Sequence, residues 1–228
     1  MFNIQVIRKG NRIAPPSTYQ SLQTNGAVAN GYATITSIAA YGTFGDFTIE
    51  FWLNRGAWNN SFARIIDFDY SAAFAIDRSG STDKLNFQIK NNNFVSATDI
   101  TQDTWIHVAC VRSGSTAYIY LNGTQDAVQA VNGSTFDYSV STYFGVGANV
   151  TTNPGAETQT IKMTDLRFWK EARSLAQISA NMNTHLVGNE TNLIGNWQFI
   201  NGSLADSTAN VNTMGLQASA SVTTDNPY

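Results

Sequence analysis

The sequence is short of the groups from which most catalytic and metal centres are built. Its 228 residues include one cysteine, two histidines and four glutamates. A lone cysteine, Cys110, excludes an internal disulfide framework. It falls in mid-strand and reads as a small buried hydrophobe rather than a reactive thiol. His107 and His185 are too few, and too far apart in sequence, to suggest a zinc site. Charge is also scarce: 13% of residues are charged and the net charge is −3. That leaves no basic field for nucleic acid. The one basic cluster, Arg8, Lys9 and Arg12, reads as a solvated or docking arm. No apolar run reaches membrane-spanning length, so no membrane insertion is expected. The opening MFNIQVIRKGNR has no uninterrupted apolar core, so no secretory signal is expected.

What is present is β-structure with a polar surface rich in Asn, Ser, Thr and Gly. The organising stretch is Thr104 to Val128, TWIHVACVRSGSTAYIYLNGTQDAV. Trp105–Arg112 and Ala117–Leu121 are strongly β-forming, and Asn122-Gly123 supplies the positive φ angles of a tight hairpin turn. Trp105, His107, Ala109 and Val111 alternate with Ile106, Val108 and Cys110. Both sets are largely apolar, as in a central strand.

Upstream, Phe47, Ile49, Phe51 and Leu53 alternate with Thr48, Glu50, Trp52 and Asn54, the first set facing a core. Further strands are expected at Tyr19–Thr24, Tyr32–Thr36, Phe62–Phe68, Ala72–Arg78 and Phe94–Thr98. In another, Leu85, Phe87 and Ile89 alternate with Asn86, Gln88 and Lys90. Tyr143–Val146, Ile161–Trp169, Leu193–Ile200 and Met214–Val222 complete the set. One helix is predicted. It starts at Ser174, where Ser174 and Gln177 fit a capping box, and Leu175, Ile178 and Met182 form its apolar face. Many short strands with frequent turns predict an all-β protein, a sandwich of two antiparallel sheets. Residues 1–18, with Pro15-Pro16, read as an extended arm, and residues 19–228 as one domain.

Five pieces, in order, resemble the laminin-G-like, pentraxin-like branch of the concanavalin A-like lectin/glucanase superfamily. They are Ser21–Gly26 with Tyr32–Ile35; Phe47–Trp52; Trp105–Ala109 with Tyr118–Gly123; Met163–Trp169 with the capped helix; and Asn196–Phe199 with Asp206-Ser207. The resemblance spans about residues 19–220 and implies a jelly-roll sandwich. It also implies that Trp105, Trp169 and Trp197 are core residues and that His107 is structural. Superfamily members include lectins, glycosidases and structural domains, so the fold leaves function open.

The decision rests on sites. Glycoside hydrolysis needs two carboxyl groups flanking the scissile bond, and no Glu here has an acidic partner two residues away. Asp67 and Asp69 alternate and form the one carboxylate pair to test; otherwise no catalytic residues are expected. Pentraxins bind calcium through several acids at the rim. Here Gly147-Ala148-Asn149 replaces the acid-amide-acid run, Asn25 replaces an acid, and Thr164-Asp165 replaces an acid pair. Hard cations need such oxygen charge, so no cofactor is expected beyond a single weak calcium near Asp69 and Asn149.

A sugar site pairs an exposed aromatic with amide and hydroxyl groups. Trp58, in a loop with Asn59 and Asn60, matches no framework position, and with Asp69, Tyr70, Asn149 and Thr151 it forms the candidate ligand-binding set. Trp58 packed at the sandwich edge, or against another subunit, is an equal alternative. The expectation is a non-catalytic recognition or adhesion module for a glycan or cell-surface polysaccharide. A phage virion surface, as decoration or fibre protein, is the expected setting, with residues 1–18 docking to other virion proteins and self-association left open. A purely structural virion protein and a glycoside hydrolase are the alternatives.

Overall fold

The structure, a computed structural model, describes residues 18–228 apart from 28–30, 36–37, 39–40, 69–72, 91, 132, 134, 138–142, 151–152 and 154. The expected arm, residues 1–18, therefore lies outside the described residues except for Thr18, which bonds Asn201. In chain order the strands are β1 Ser21–Gln23, β2 Ala33–Ile35, β3 Thr43–Phe44, β4 Phe47–Arg55, β5 Arg64–Phe68 and β6 Phe74–Arg78. There follow β7 Leu85–Ile89, β8 Trp105–Ser113, β9 Thr116–Leu121, β10 Thr124–Ala130, β11 Phe136–Asp137, β12 Phe144–Val146 and β13 Ile161–Trp169. Helix α1, Leu175–Asn181, precedes β14 Leu193–Trp197, β15 Gly215–Leu216 and β16 Ser221–Thr223.

Two antiparallel sheets make a jelly-roll sandwich. The larger runs β10-β9-β8-β4-β13-β1-β16, with β14 also paired to β13; the smaller runs β15-β2-β12-β5-β6-β7. Strand β4 lies between β8 and β13, so both its edges are hydrogen-bonded, and Phe47, Ile49, Phe51 and Leu53 of its inward face are wholly buried. Between the sheets Phe47 stacks on Phe74 at 4.7 Å, Phe74 on Phe68 at 4.9 Å, and Phe168 meets Phe68 at 5.2 Å. Such aromatic pairs add about 0.5–1.5 kcal/mol each to their area burial. Cys110 is wholly buried beside Val108 and Ile119 in this core. Burial lifts its thiol pKa well above the ordinary range, which keeps it in the unreactive protonated form.

The central hairpin forms as its sequence requires. Asn122 and Gly123 have φ of 49° and 69°, and β10 continues from them along β9. Ser174 caps α1 in a complete capping box. Ile178 is the residue this helix buries, against Ala109, Val111 and Tyr120. Leu175, expected on the apolar face, is instead 42% exposed, because it opens a helix too short to lay two turns on the sheet.

Three expected strands differ. Residues 94–98 make only an isolated bridge, Asn86↔Val95. Phe94 and Ser96 still bond β7 through the backbone, but at 97–98 side chains take over: Asp126 accepts from the amides of Ala97 and Thr98, and Ser96 Oγ donates to the Thr98 carbonyl. The strand from Leu193 stops at Trp197, and Phe199 turns with φ 55°. The C-terminal stretch is two strands, one in each sheet: β15 pairs with β2 and β16 with β1. The short strands β3 and β11, which pair with each other, carry no pattern long enough to read in sequence. Among the described residues no helix is long and apolar enough to cross a membrane.

Candidate functional site

Each sheet has one face in the core and one facing out, and the outward faces hold the chemistry. On the smaller sheet, Arg64 of β5, Asp77 of β6 and Asn86 of β7 lie opposite one another in one transverse row. Their side chains bond along that row. Arg64 Nη1 donates to Asp77 Oδ2 at 2.7 Å, and Asn86 Nδ2 donates to Asp77 Oδ1 at 2.9 Å and to Asn93 Oδ1 at 3.1 Å. Glu157 caps the other end, accepting from Arg64 Nη2 at 2.7 Å. The backbone at Glu157 has φ 53°, a left-handed conformation that costs a residue with a Cβ about 1–2 kcal/mol. Burial pushes the Asp77 carboxyl up to about 6, against the pull of Arg64.

The row floors an open depression of ≈ 280 Å³. Gln88, Ser79 and Arg78 add further polar groups to it, and Phe62, 59% exposed, stands at its wall. An accessible aromatic beside oriented amides and charges suits a sugar ring, apolar on one face and hydroxyl-lined at its rim.

The residues singled out from sequence surround this depression unequally. Neither Asn60 nor Asn149 lines it, but each bonds residues that do. Asn60 Oδ1 accepts from the Phe62 amide at 2.9 Å, and the Asn60 carbonyl accepts from Arg78 Nη1 at 3.2 Å. Asn149, 3% exposed, donates from Nδ2 to Glu157 Oε2 at 3.3 Å and accepts at Oδ1 from the Asn153 amide. Asn59 ties its loop to residues 159–160 through bonds with Gln159 and Thr160. Trp58 is half-buried against the core edge, with Nε1 donating to Asp83 at 2.8 Å and the Arg55 guanidinium 4.7 Å above its ring. It lines a second depression of ≈ 480 Å³, which Arg78 also lines. Asp69, Tyr70 and Thr151 lie outside the described residues. So does half of the carboxylate pair, and its other half, Asp67, is fully buried with Oδ2 accepting from the Val150 amide at 2.7 Å. No group of three or more acidic, histidine or cysteine ligands occurs among the described residues.

The sequence reading missed Phe62, Arg64, Asp77 and Glu157. Asn86 and Gln88 were placed on an outward face, but the row becomes visible only once β6 is registered against β7. One framework expectation is corrected. Trp169 and Trp197 are buried at 1% exposure, yet Trp105 is only half-buried. It is the first residue of β8, beyond the cover of the core, and its Nε1 reaches Asp225 at 3.1 Å.

The larger sheet's outward face is chemically richer but closed. Glu50, His107, Asp165 and Arg167 are each at most 1% exposed. Arg167 Nη1 lies 3.6 Å from Glu50 and donates to the Asn181 carbonyl at 2.9 Å; Nη2 bonds the Thr184 carbonyl. Trp169 Nε1 donates to Glu50 Oε1 at 2.9 Å, and His107 Nε2 sits 3.6 Å from Glu50 Oε2. Burial raises the Glu50 carboxyl and lowers His107 to about 3, so it works against charge on both. Trp52 Nε1 bonds the Met182 carbonyl at 2.7 Å, which places this tryptophan under the segment that follows α1. This face stitches the helix to the sheet.

The laminin-G-like model of the concanavalin A-like lectin/glucanases superfamily matches residues 25–179. The chain belongs to this superfamily. Among solved structures it is similar to a Bacteroides ovatus protein provisionally named as carbohydrate binding, with TM-score 0.75 and 17% identity. The match covers 93% of this chain and 62% of that one, so this chain spans less than two thirds of that protein's length. It is also similar to the heptameric SAP-like pentraxin of Limulus polyphemus, with TM-score 0.66, 16% identity, and 90% and 95% of the two chains covered. A third likeness is to the binding domain of Paraclostridial Mosquitocidal Protein 1, with TM-score 0.55, 14% identity, and 72% and 43% covered. At these identities the likenesses establish the fold. A search of curated proteins gave no match.

Proposed function

We propose that this lectin-like domain is a non-catalytic glycan-recognition module, and that the depression walled by Phe62 is its site. The carrying observation is the transverse row Arg64–Asp77–Asn86 lining one depression with an exposed phenylalanine, Phe62. A non-catalytic reading is supported because both Asp77 oxygens are held, by Arg64 and by Asn86. A general acid must be able to present its proton to a leaving group. The carbohydrate-binding name of the Bacteroides protein supports the glycan class. Asn60 and Asn149 support the depression by bonding residues that line it, and Trp58 lines the adjoining one. Asp69, Tyr70 and Thr151 stay in the proposal as sequence neighbours of these residues. The test is a glycan array with the wild type and Phe62→Ala. Binding that the substitution abolishes supports the site; equal binding by both proteins rejects it.

The wider setting proposed is a phage virion surface or another extracellular location, with residues 1–18 docking to a virion partner or a second copy. Its support is in the sequence: the basic, double-proline arm and the weakly charged Asn/Thr/Gly surface. Deleting residues 1–18 then abolishes assembly and leaves a folded sandwich; unchanged assembly rejects the arm's role.

A further inference from the structure

Two depressions meet at Arg78, and a third continues from the second. The second shares Asp99 and Thr101 with a further hollow of ≈ 180 Å³, whose wall includes Trp105. The three hollows thus adjoin through shared lining residues, in a series from the outward face of the smaller sheet to the start of β8. One aromatic stands in each: Phe62, Trp58 and Trp105. The two indoles are pinned, Trp58 by Asp83 and Trp105 by Asp225, so little rotamer freedom is left to lose on binding.

The charge in this series is balanced and mostly spent. Its described lining holds four carboxylates, Asp77, Asp83, Asp99 and Glu157, against three guanidinium groups, Arg55, Arg64 and Arg78. Arg55 pairs with Asp83 at 3.1 Å and also bonds the Ile100 carbonyl. Arg64 pairs with Asp77 and Glu157. Arg78 donates to the carbonyls of Thr82 and Asn60. A ligand carboxylate or sulfate entering these hollows would have to compete with these partners, and would meet a lining with one more negative than positive group.

We infer that the hollows act as one groove, which takes a linear, uncharged oligosaccharide segment spanning several sugar units, rather than a single terminal sugar or an acidic glycan. This rests on the glycan reading and sharpens it: Phe62 anchors one end of the segment, Arg78 is the saddle, and the Trp105 hollow receives the other end.

The test uses oligosaccharide ladders of β-glucan, α-glucan, xylan and mannan, from monosaccharide to octasaccharide, beside matched polygalacturonate ladders. Affinities are measured for the wild type, Phe62→Ala, Trp105→Ala and Thr101→Arg. Thr101 is exposed, so Thr101→Arg blocks the groove without touching the core, and it decides the matter if Trp105→Ala loses stability. The expected result is binding to a neutral ladder that tightens roughly tenfold or more from disaccharide to hexasaccharide, about 1.4 kcal/mol. Thr101→Arg removes that gain and leaves the disaccharide unchanged, whereas Phe62→Ala weakens every length. Affinity independent of length, or preference for the polygalacturonate ladder, overturns the extended neutral groove while the glycan reading stands. Failure of the wild type to bind any ladder or array glycan overturns both.

Discussion

The two outward faces of the sandwich use the same side chains to opposite ends. On the larger sheet a guanidinium, Arg167, stands between Glu50 and Asp165. On the smaller sheet a guanidinium, Arg64, stands between Asp77 and Glu157. The first cluster is sealed by α1 and the segment after it, with Trp52 and Arg167 bonded to their carbonyls. The second opens onto a depression with an exposed aromatic beside it. Ion pairs alone therefore do not mark a site. Arg64 and Asp77 are themselves only 3% and 2% exposed, so the two differ in what lies outside them, a helix or a depression, and the proposed reading gives stability to one face and recognition to the other.

The largest expected effect breaks the closed face. Arg167→Met leaves Glu50 and Asp165 buried without their cation, and loss of one partner from a buried charge network costs about 3–5 kcal/mol. Denaturant unfolding reads this, and glycan affinity of the folded fraction stays unchanged. Next, Phe62→Ala on the open face lowers glycan affinity by tenfold or more, yet changes unfolding free energy by no more than about 0.5 kcal/mol, as for an exposed side chain. Smaller again is Ser174→Ala. Losing the cap of α1 costs about 1 kcal/mol, and the melting temperature falls without change in binding, because α1 covers only the closed face.

The smallest effect is a difference in pH profile, and the two faces tilt it in opposite senses. Asp77 has its pKa raised from 3.8 to about 6 in the folded state. Its contribution is fully present below pH 3.8 and is lost as pH rises through 6. His107 has its pKa lowered from 6.5 to about 3, so its contribution is present above 6.5 and is lost as pH falls toward 3. Melting temperatures of Asp77→Asn and His107→Gln across pH 3–7, each subtracted from the wild type, are expected to slope in opposite directions. Slopes of the same sign contradict the assignment of these environments.

Much of the fold was legible because period-two patterns are local. The stripe Phe47, Ile49, Phe51 and Leu53, the Asn122-Gly123 turn and the Ser174 capping box are each written in fewer than ten consecutive residues. Each formed in the structure. Legibility failed where side chains replaced a ladder, as Asp126 does for residues 97–98. It failed too where one apolar stretch was shared between sheets, as in residues 214–222. The candidate site was only half legible. Of the residues expected from sequence, Trp58 lines the second depression and Asn60 and Asn149 bond residues that line the first, but the row that floors the first is a product of register. Arg64, Asp77 and Asn86 sit on three consecutive strands and face one another only because those strands pair in that alignment. Phe62 looked like the first residue of a strand; its exposure follows from the turn that precedes Arg64.

The central claim is that recognition belongs to the open face of the smaller sheet. Backbone amide shift mapping by NMR, with the best array glycan titrated into labelled protein, tests it most directly. The account predicts perturbations concentrated at residues 60–64, 77–80, 86–90 and 157, extending to 99–105 for a longer glycan, with those at 50, 107 and 165–167 unmoved. Perturbations centred on the Glu50–Arg167 cluster, with the Phe62 depression silent, would contradict it.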